Sequence, residues 1–282
     1  MKLLVSLIIL ILISNSIFAD NNLPETQDST KHDLETWRII TTSAFSAGAL
    51  YYSGTRFKEA WGASDRSSWH WKTNDFQGDG FLQNDEYSHF VAGQRVTQLA
   101  GGLARWTGFN DKTSLIIGSS ISFGIAVWVE ILDAYNPGQG FGTSDLIFGT
   151  AGIAFEIARQ KYPSVKKFDL RVSFKRFQDI SPNLIVAQNA LHYDNTIYWL
   201  TYQADENIPF DIGLGYSTSR EPDPVHWLLP KRELYLGIGI SGKELIRLFN
   251  RDISDYISGI GDWYEFTIYA KIYESEPINV FD

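Results

Sequence analysis

The chain predicts an α+β protein, an apolar helical bundle followed by an antiparallel β-sheet region. Three observations carry that reading. Apolar residues recur at helical spacing up to about residue 160, they alternate every second residue from Phe168 onward, and Pro163 stands between the two regimes. With 282 residues the chain can form one large domain or two ordinary ones.

Residues 1–19 read as a secretory signal. Lys2 supplies the positive start, Leu3 to Ile13 the apolar core, and Ser16-Ile17-Phe18-Ala19 a small-residue exit, so cleavage is expected after Ala19. The alternative is an uncleaved anchor, for which the apolar run is short. Residues 20–32 are polar and aperiodic, a flexible lead-in. The bundle occupies residues 33–162. It opens with a helical pattern from Leu34 to Tyr52, then an ordered loop over 61–84 that holds Trp61, Trp69 and Trp71. Helices follow over Asp85–Trp106, Ser114–Asp133 and Ser144–Gln160, each opening on an Asp or Ser suited to capping. Pro137-Gly138-Gln139-Gly140 separates the last two.

Residues 163–282 form the β region. Phe168, Leu170, Val172 and Phe174 alternate with Asp169, Arg171, Ser173 and Lys175. Further strands are predicted at Ile197–Gln203, Phe210–Tyr216, Leu234–Ile240 and Tyr264–Ile272, with a short amphipathic helix near Gly242–Asn250. The alternation would suit an outer-membrane barrel, but about five strands fall short of the eight or so that close one. A sheet packed on the helices is therefore expected.

Composition narrows the function. A formal charge of −9 with no basic stripe argues against nucleic acid as a partner. The absence of cysteine excludes disulfides, thiolate metal sites, a Cys nucleophile and a lipidated Cys after the signal. Aromatic content is 15%, with nine Trp and fourteen Tyr, the amphipathic types favoured at membrane interfaces. The expected partner is a membrane surface or lipid, and the expected location exported, periplasmic or outer-membrane associated. Neither a substrate nor a protein partner is specified.

Three acidic motifs mark a candidate site. Asp85 and His89 are spaced i, i+4 on one helix face, where a carboxylate can fix the imidazole tautomer and raise its pKa. Gly118, Ser122, Ala126 and Glu130 form a second row whose small residues let a neighbouring helix approach Glu130, with Asp133 on nearly the same face. Ser144 and Asp145 open the third helix, and Asp145, Gly149, Gly152 and Glu156 share a face; for Asp145 alone a capping role suffices. If these faces converge, the cluster suits a hydrogen-bond network that fixes register, a divalent cation on O and N ligands, or acid/base chemistry with His89, Asp85 and Glu130 as catalytic groups. Separately, Asp75, Gln77, Asp79, Gly80 and Glu86 occupy positions 1, 3, 5, 6 and 12 of a calcium-loop pattern, with Asp75, Asp79 and Glu86 as the metal ligands. The bland alternative is an Asp/Gly turn leading into the Asp85 helix. Ser68-Trp69-His70-Trp71 suits core filling, a sugar or an interface, and Tyr193-Asp194-Asn195 reads as a turn.

Taken in order, Asp85-x-x-x-His89, Glu130-Ile-Leu-Asp133, Gly140-Phe-Gly-Thr-Ser144-Asp145 with Gly149, Tyr193-Asp194-Asn195-Thr196-Ile197-Tyr198-Trp199-Leu200 and Arg232-Glu233-Leu234-Tyr235-Leu236 form a pattern. On these residues the chain resembles the YfiM-like predicted periplasmic proteins, an uncharacterised envelope family, from about residue 33 to 273, in a longer form with a C-terminal β region. Relatives typically carry a Lys after the Asp and a Gly before the His, where this chain has Glu86 and Ser88. A fainter similarity links the acidic elements to VanZ-like membrane proteins. The resemblance implies fold and location rather than chemistry. The expected function is a structural or binding role for a membrane-associated envelope protein; the alternative is a metal-dependent or acid/base hydrolase acting on an envelope lipid or glycan.

Overall fold

A computed structural model describes residues 36–44, 66–73, 75–77, 80–177, 190–205, 207–223, 227–248 and 262–278. The signal, the lead-in, Trp61 and Asp79 lie outside the described residues. Residues 36–44 are helical, within the stretch where a helix is expected. Three long helices follow: α1 (Asn84–Trp106), α2 (Asp111–Asp133) and α3 (Thr143–Lys161). The central one is α1, which packs against both others.

Glycines set how closely these helices approach. A Cβ on Gly93 would overlap the Gly149 carbonyl, one on Gly152 would overlap the Phe90 carbonyl, and one on Gly118 would strike the backbone of Thr97 and Gly101. Backbone lies against backbone, and the Ser122 hydroxyl donates across to the Gly93 carbonyl at 3.0 Å. Because backbone cannot give way as a flexible side chain can, Gly152→Ala is expected to cost about 2–3 kcal/mol, read as a lower denaturant midpoint at unchanged slope.

The caps differ from expectation. Helix α1 begins one residue early, at Asn84, behind Leu82 and Gln83 in the left-handed region (φ 49° and 68°). Asn84 is fully buried and ties this turn to the sheet, donating to the Tyr193 carbonyl at 2.9 Å and to Thr218 Oγ1 at 2.8 Å. Helix α2 is capped by Asn110, which accepts from the Thr113 amide. Helix α3 starts after Gly142, and its cap comes from a distant residue. Asp75, in a short 3-10 turn, accepts the Thr143 and Ser144 amides at 2.7 and 3.0 Å.

After the short helix α4 (Pro163–Lys166), the sheet runs β1 (Phe168–Phe174), β2 (Thr196–Tyr202), β3 (Asp211–Asp223), β4 (Trp227–Ser241) and β5 (Glu265–Glu274). Helix α5 (Ala190–Asn195) precedes β2, and α6 (Gly242–Arg247) follows β4. The strands form an antiparallel meander in sequence order. It curls until its edges meet: Val172 bridges in parallel to Tyr264, and its amide reaches the Trp263 carbonyl at 3.0 Å. Arg171 on β1 accordingly touches Asp211 on β3 and Glu265 on β5, so these side chains share the concave face.

The sheet's polarity is inverted relative to an ordinary soluble sheet. Asp169, Arg171, Ser173, Thr201, Glu233 and Glu265 are buried on the concave side. On the convex side Leu200, Ile212, Leu214, Leu236 and Ile238 are exposed, and Ile268 is 89% exposed. Helix α1 covers only one patch, where Leu170, Val172 and Tyr198 pack with Val91, Tyr87, Phe90 and Phe155. The sheet does pack on the helices, as expected, but most of its apolar face does not. Curvature explains the difference. Gly213, Gly215, Gly237 and Gly239 lie on the concave side beneath Trp199, Thr267 and Glu265, whose side chains fill the space that a Cβ would need.

Candidate functional site

Four of the residues singled out in the sequence come together where the three helices meet. Asp85 and His89 project from the first turns of α1, Glu130 from the last turn of α2 and Asp145 from the first turn of α3. A fifth group, Lys72, reaches in from the loop before α1. Backbone pairing holds that loop: the Lys72 amide donates to the Phe141 carbonyl at 3.0 Å and the Phe141 amide to the His70 carbonyl at 2.9 Å. Gly140, at φ 105°, lies too close to the Lys72 backbone to carry a side chain.

Lys72 Nζ donates to Asp85 Oδ2 at 3.1 Å and to Asp145 Oδ2 at 2.9 Å, with the lysine side chain only 5% exposed. His89 Nε2 is 3.6 Å from Asp85 Oδ1, and its Nδ1 is 4.0 Å from Glu130 Oε1. The Tyr193 hydroxyl donates to Asp85 Oδ1 at 2.6 Å, and the Gly142 amide to Glu130 Oε2 at 2.8 Å. Glu130 Oε1 is buried with no hydrogen-bond partner. A side chain at Gly142 would collide with the Asp145 and Glu130 carboxylates, so that position needs its glycine.

The electrostatics follow from this packing. Burial pushes the Glu130 carboxyl up to about 8, against the pull of His89. Burial alone would raise Asp85, but His89, Lys72 and the Tyr193 hydroxyl together hold it below the usual range. Asp145 is raised, by burial and then by the Asp85 charge, with His89 and Lys72 opposing. Burial would lower His89, yet Asp85, Asp145 and Glu130 outweigh it and raise the imidazole. Near neutral pH Glu130 thus holds its proton, while the neighbouring carboxylates favour the protonated form of His89, and His89, Lys72 and Tyr193 favour the ionised form of Asp85.

The donor set of Asp85, His89 and Asp145 places one ligand atom from each within 4.8 Å of the others, a span that a divalent cation can bridge. The Lys72 ammonium, however, sits against the two carboxylate oxygens such an ion would take. The cluster carries its own cation and does not fit a second one beside it.

The remaining candidates lie around this centre or apart from it. Ser144 donates its hydroxyl proton to Asp75 Oδ1 at 2.6 Å, and the same hydroxyl oxygen lies 3.2 Å from Glu86 Oε1. Asp75 and Glu86 therefore meet through a serine hydroxyl, and both Asp75 oxygens serve the start of α3 rather than a calcium loop. Asp133 is half-buried; its charge adds to the upward shift of Glu130, and its carbonyl accepts the Asn136 and Gly140 amides. Glu156 belongs elsewhere. It accepts from Gln94 at 3.2 Å and Arg159 at 2.8 Å, and Asp169 on β1 joins the same group through Gln94 at 2.6 Å and Arg159 at 3.2 Å, with Arg95 also against it at 3.1 Å. That second network ties α1 and α3 to the sheet.

Lys72 is not singled out by the sequence, where Tyr193 reads as part of a turn and of a family motif rather than as a partner of Asp85. Charge balance was the available signal for Lys72, since converging buried carboxylates require a cation. Tyr193 ends up in α5 rather than in a turn, which is what aims its hydroxyl at Asp85.

Fold and site together define an α+β protein with an ion-paired polar interior and, among the described residues, many exposed large apolar side chains. Residues 71–161 match a family described as "Predicted periplasmic lipoprotein (DUF2279)", a stretch that holds Lys72, Asp85, His89, Glu130 and Asp145 but none of the sheet. The match supports an exported, periplasmic or envelope-associated location, although this sequence has no cysteine to carry a lipid. No curated protein and no solved structure matches.

Proposed function

We propose that the protein is an envelope component that docks on, and partly inserts into, a lipid surface, with the Lys72-centred cluster serving to lock its helices. The distribution of polarity carries this reading. Among the described residues thirteen apolar side chains are buried against twenty-five polar or charged ones, the reverse of a water-soluble core. The apolar residues are outside instead, on the convex sheet and on the helices, where Ile116, Phe123, Ile131 and Ile147 are exposed. Large exposed apolar areas mark protein or membrane contacts, and polar interiors under apolar exteriors are what lipid favours. Helix α2 is long and apolar enough to cross a membrane by length and composition. Its uncharged stretch, Thr113 to Val129, lies at the short end of the roughly 17–25 residues of a span, which favours partial insertion. The YfiM-like motifs agree with an envelope role.

Vesicle flotation of the purified full chain tests this. The protein is expected to float with phospholipid vesicles, and Ile238→Asp with Ile268→Asp is expected to stay at the bottom of the gradient with its fold intact by circular dichroism. A wild-type protein that stays monomeric in buffer and never floats would sink the reading.

One observation favours a second reading, an acid/base hydrolase acting on an envelope lipid or glycan. His89 keeps 20% of its side chain exposed, beside the Asp85 carboxylate and the unpartnered Glu130 oxygen. Under that reading His89 is the base and Asp85 orients it. His89→Ala decides between them: a folded, correctly located variant that loses a cellular phenotype favours chemistry, whereas an unfolded or degraded one favours the lock.

A further inference from the structure

One end of the apolar sheet face differs from the rest. Helix α4 and its flanks place Lys161, Lys166 and Lys167 at the surface within seven residues, next to exposed Tyr162 and Phe168. Across the sheet edge the segment from Tyr202 to β3 presents Ile208, Phe210 and Ile212, each at least half exposed. Between them lies a shallow, open depression of about 640 Å³ lined by Ser164, Lys167, Phe168, Tyr202 and Ile212. Lys167 is held at its lip by donation from its Nζ to the Ala204 carbonyl at 2.8 Å, and its own carbonyl accepts the Gln203 amide at 2.9 Å. The Lys161 ammonium lies over the Tyr162 ring, 5.3 Å from its centre. Among the described residues one exposed acid, Asp205, stands nearby, followed in the sequence by Glu206, and it is engaged by the Asn207 amide and side chain at 2.8 and 2.9 Å.

The overall charge is −9, so a lysine cluster of this density bordering an uncharged apolar face is a local reversal. Lysines extend their methylenes over apolar surface and hold the ammonium at the headgroup level, and aromatic rings settle at the same depth. Anionic headgroups complement this end in charge, and acyl chains complement the face beyond it. We propose that this end of the sheet binds the phosphate headgroups of anionic phospholipids and so sets the orientation in which the apolar face enters the leaflet. The inference rests on the lipid-docking reading above and adds the lipid class and the contact residues.

The experiment compares flotation of the full chain on vesicles of phosphatidylcholine alone and of phosphatidylcholine containing phosphatidylglycerol. The wild type is expected to bind the anionic vesicles at least about tenfold more tightly, with the preference falling as salt rises. Lys161→Glu, Lys166→Glu and Lys167→Glu combined is expected to lose the preference while retaining binding to phosphatidylcholine and the wild-type unfolding midpoint. Equal wild-type binding to both vesicles, or a triple variant that keeps the preference, overturns the anionic-lipid assignment and leaves docking intact. Binding to neither, with a doubled mass in solution, overturns both, because a second copy of the chain then covers the face.

Discussion

Lys72→Met is expected to cost about 3–5 kcal/mol of folding stability, among the largest effects of any single change at the cluster. The variant keeps most of the side chain's volume and removes only its charge. Asp85 and Asp145 are then left facing each other with no ammonium between them, in a setting where the lysine side chain is 5% exposed and the carboxylates 11% and 6%. Truncating one member of a buried ion pair is costly because it strands the other member, not because the intact pair is strongly stabilising. Chemical denaturation of wild type and variant measures the difference. The same variant makes a sharper test possible. With the ammonium gone, Asp85, His89 and Asp145 retain ligand atoms within 4.8 Å of one another and become open to an external cation. Added Zn²⁺ or Mn²⁺ is therefore expected to raise the midpoint of Lys72→Met and to leave that of the wild type unchanged. A wild type that is itself stabilised by either metal at micromolar concentration would show that Lys72 is not the resident cation.

The local half of this site was legible in the sequence and the remote half was not. The i, i+4 spacing of Asp85 and His89 places them on one face by helix geometry alone. The small-residue row leading to Glu130, and Gly149 and Gly152 beyond Asp145, announce close helix contact. The partners that complete the cluster depend on tertiary placement. Tyr193 is 108 residues from Asp85, and the Asp75 carboxylate that caps α3 is 68 residues from the first amide it accepts. Local capping rules select the nearest suitable residue, so they assigned the helix starts to Asp85, Ser114 and Ser144. Gln83, Asn110 and Gly142 occupy those cap positions instead.

The sheet illustrates a different limit. Period-two alternation divides a strand's residues into two faces but does not say which face is concave. In a flat sheet packed on helices, the leucines and isoleucines of β3 and β4 would face the core. Here the alternates of those residues are Gly213, Gly215, Gly237 and Gly239, which leave room for the Trp199 ring and the Glu265 carboxylate, so the polar side closes inward. The sequence Ile212-Gly-Leu-Gly and Leu236-Gly-Ile-Gly contained this signal. An apolar residue alternating with glycine has nothing on its second face to point into water, which suits a face that must curl over bulky neighbours.

Stability is expected to fall as pH rises from about 5 to about 8.5, contrary to proteins whose carboxylates are all paired as anions. Glu130 titrates at about 8 when folded against an unfolded value of 4.5. Between those values the folded chain keeps a proton that the unfolded chain has released, so each rise in pH favours unfolding until the folded carboxyl has also ionised. The shift corresponds to roughly 3–5 kcal/mol across the window at about 1.4 kcal/mol per unit. His89, raised above 6.5 by the three carboxylates it faces, contributes with the same sign at the alkaline end. Asp85 acts oppositely: held below its ordinary 3.8, it adds stability that is present above that value and lost in stronger acid. The optimum should therefore lie in mild acid. Glu265, on the concave face of the sheet, is also raised to about 8 by burial and belongs to the same alkaline loss. Glu130→Gln preserves an acceptor for the Gly142 amide and imitates the protonated acid, so it should remove part of the slope between pH 5 and 8.5. Glu265→Gln should remove a further part, and the two should add, because the groups lie in separate networks. Denaturant midpoints at the two pH values for wild type, each single variant and the double variant measure this directly. A wild-type slope that survives unchanged in the double variant would mean that neither carboxyl holds its proton in the folded protein.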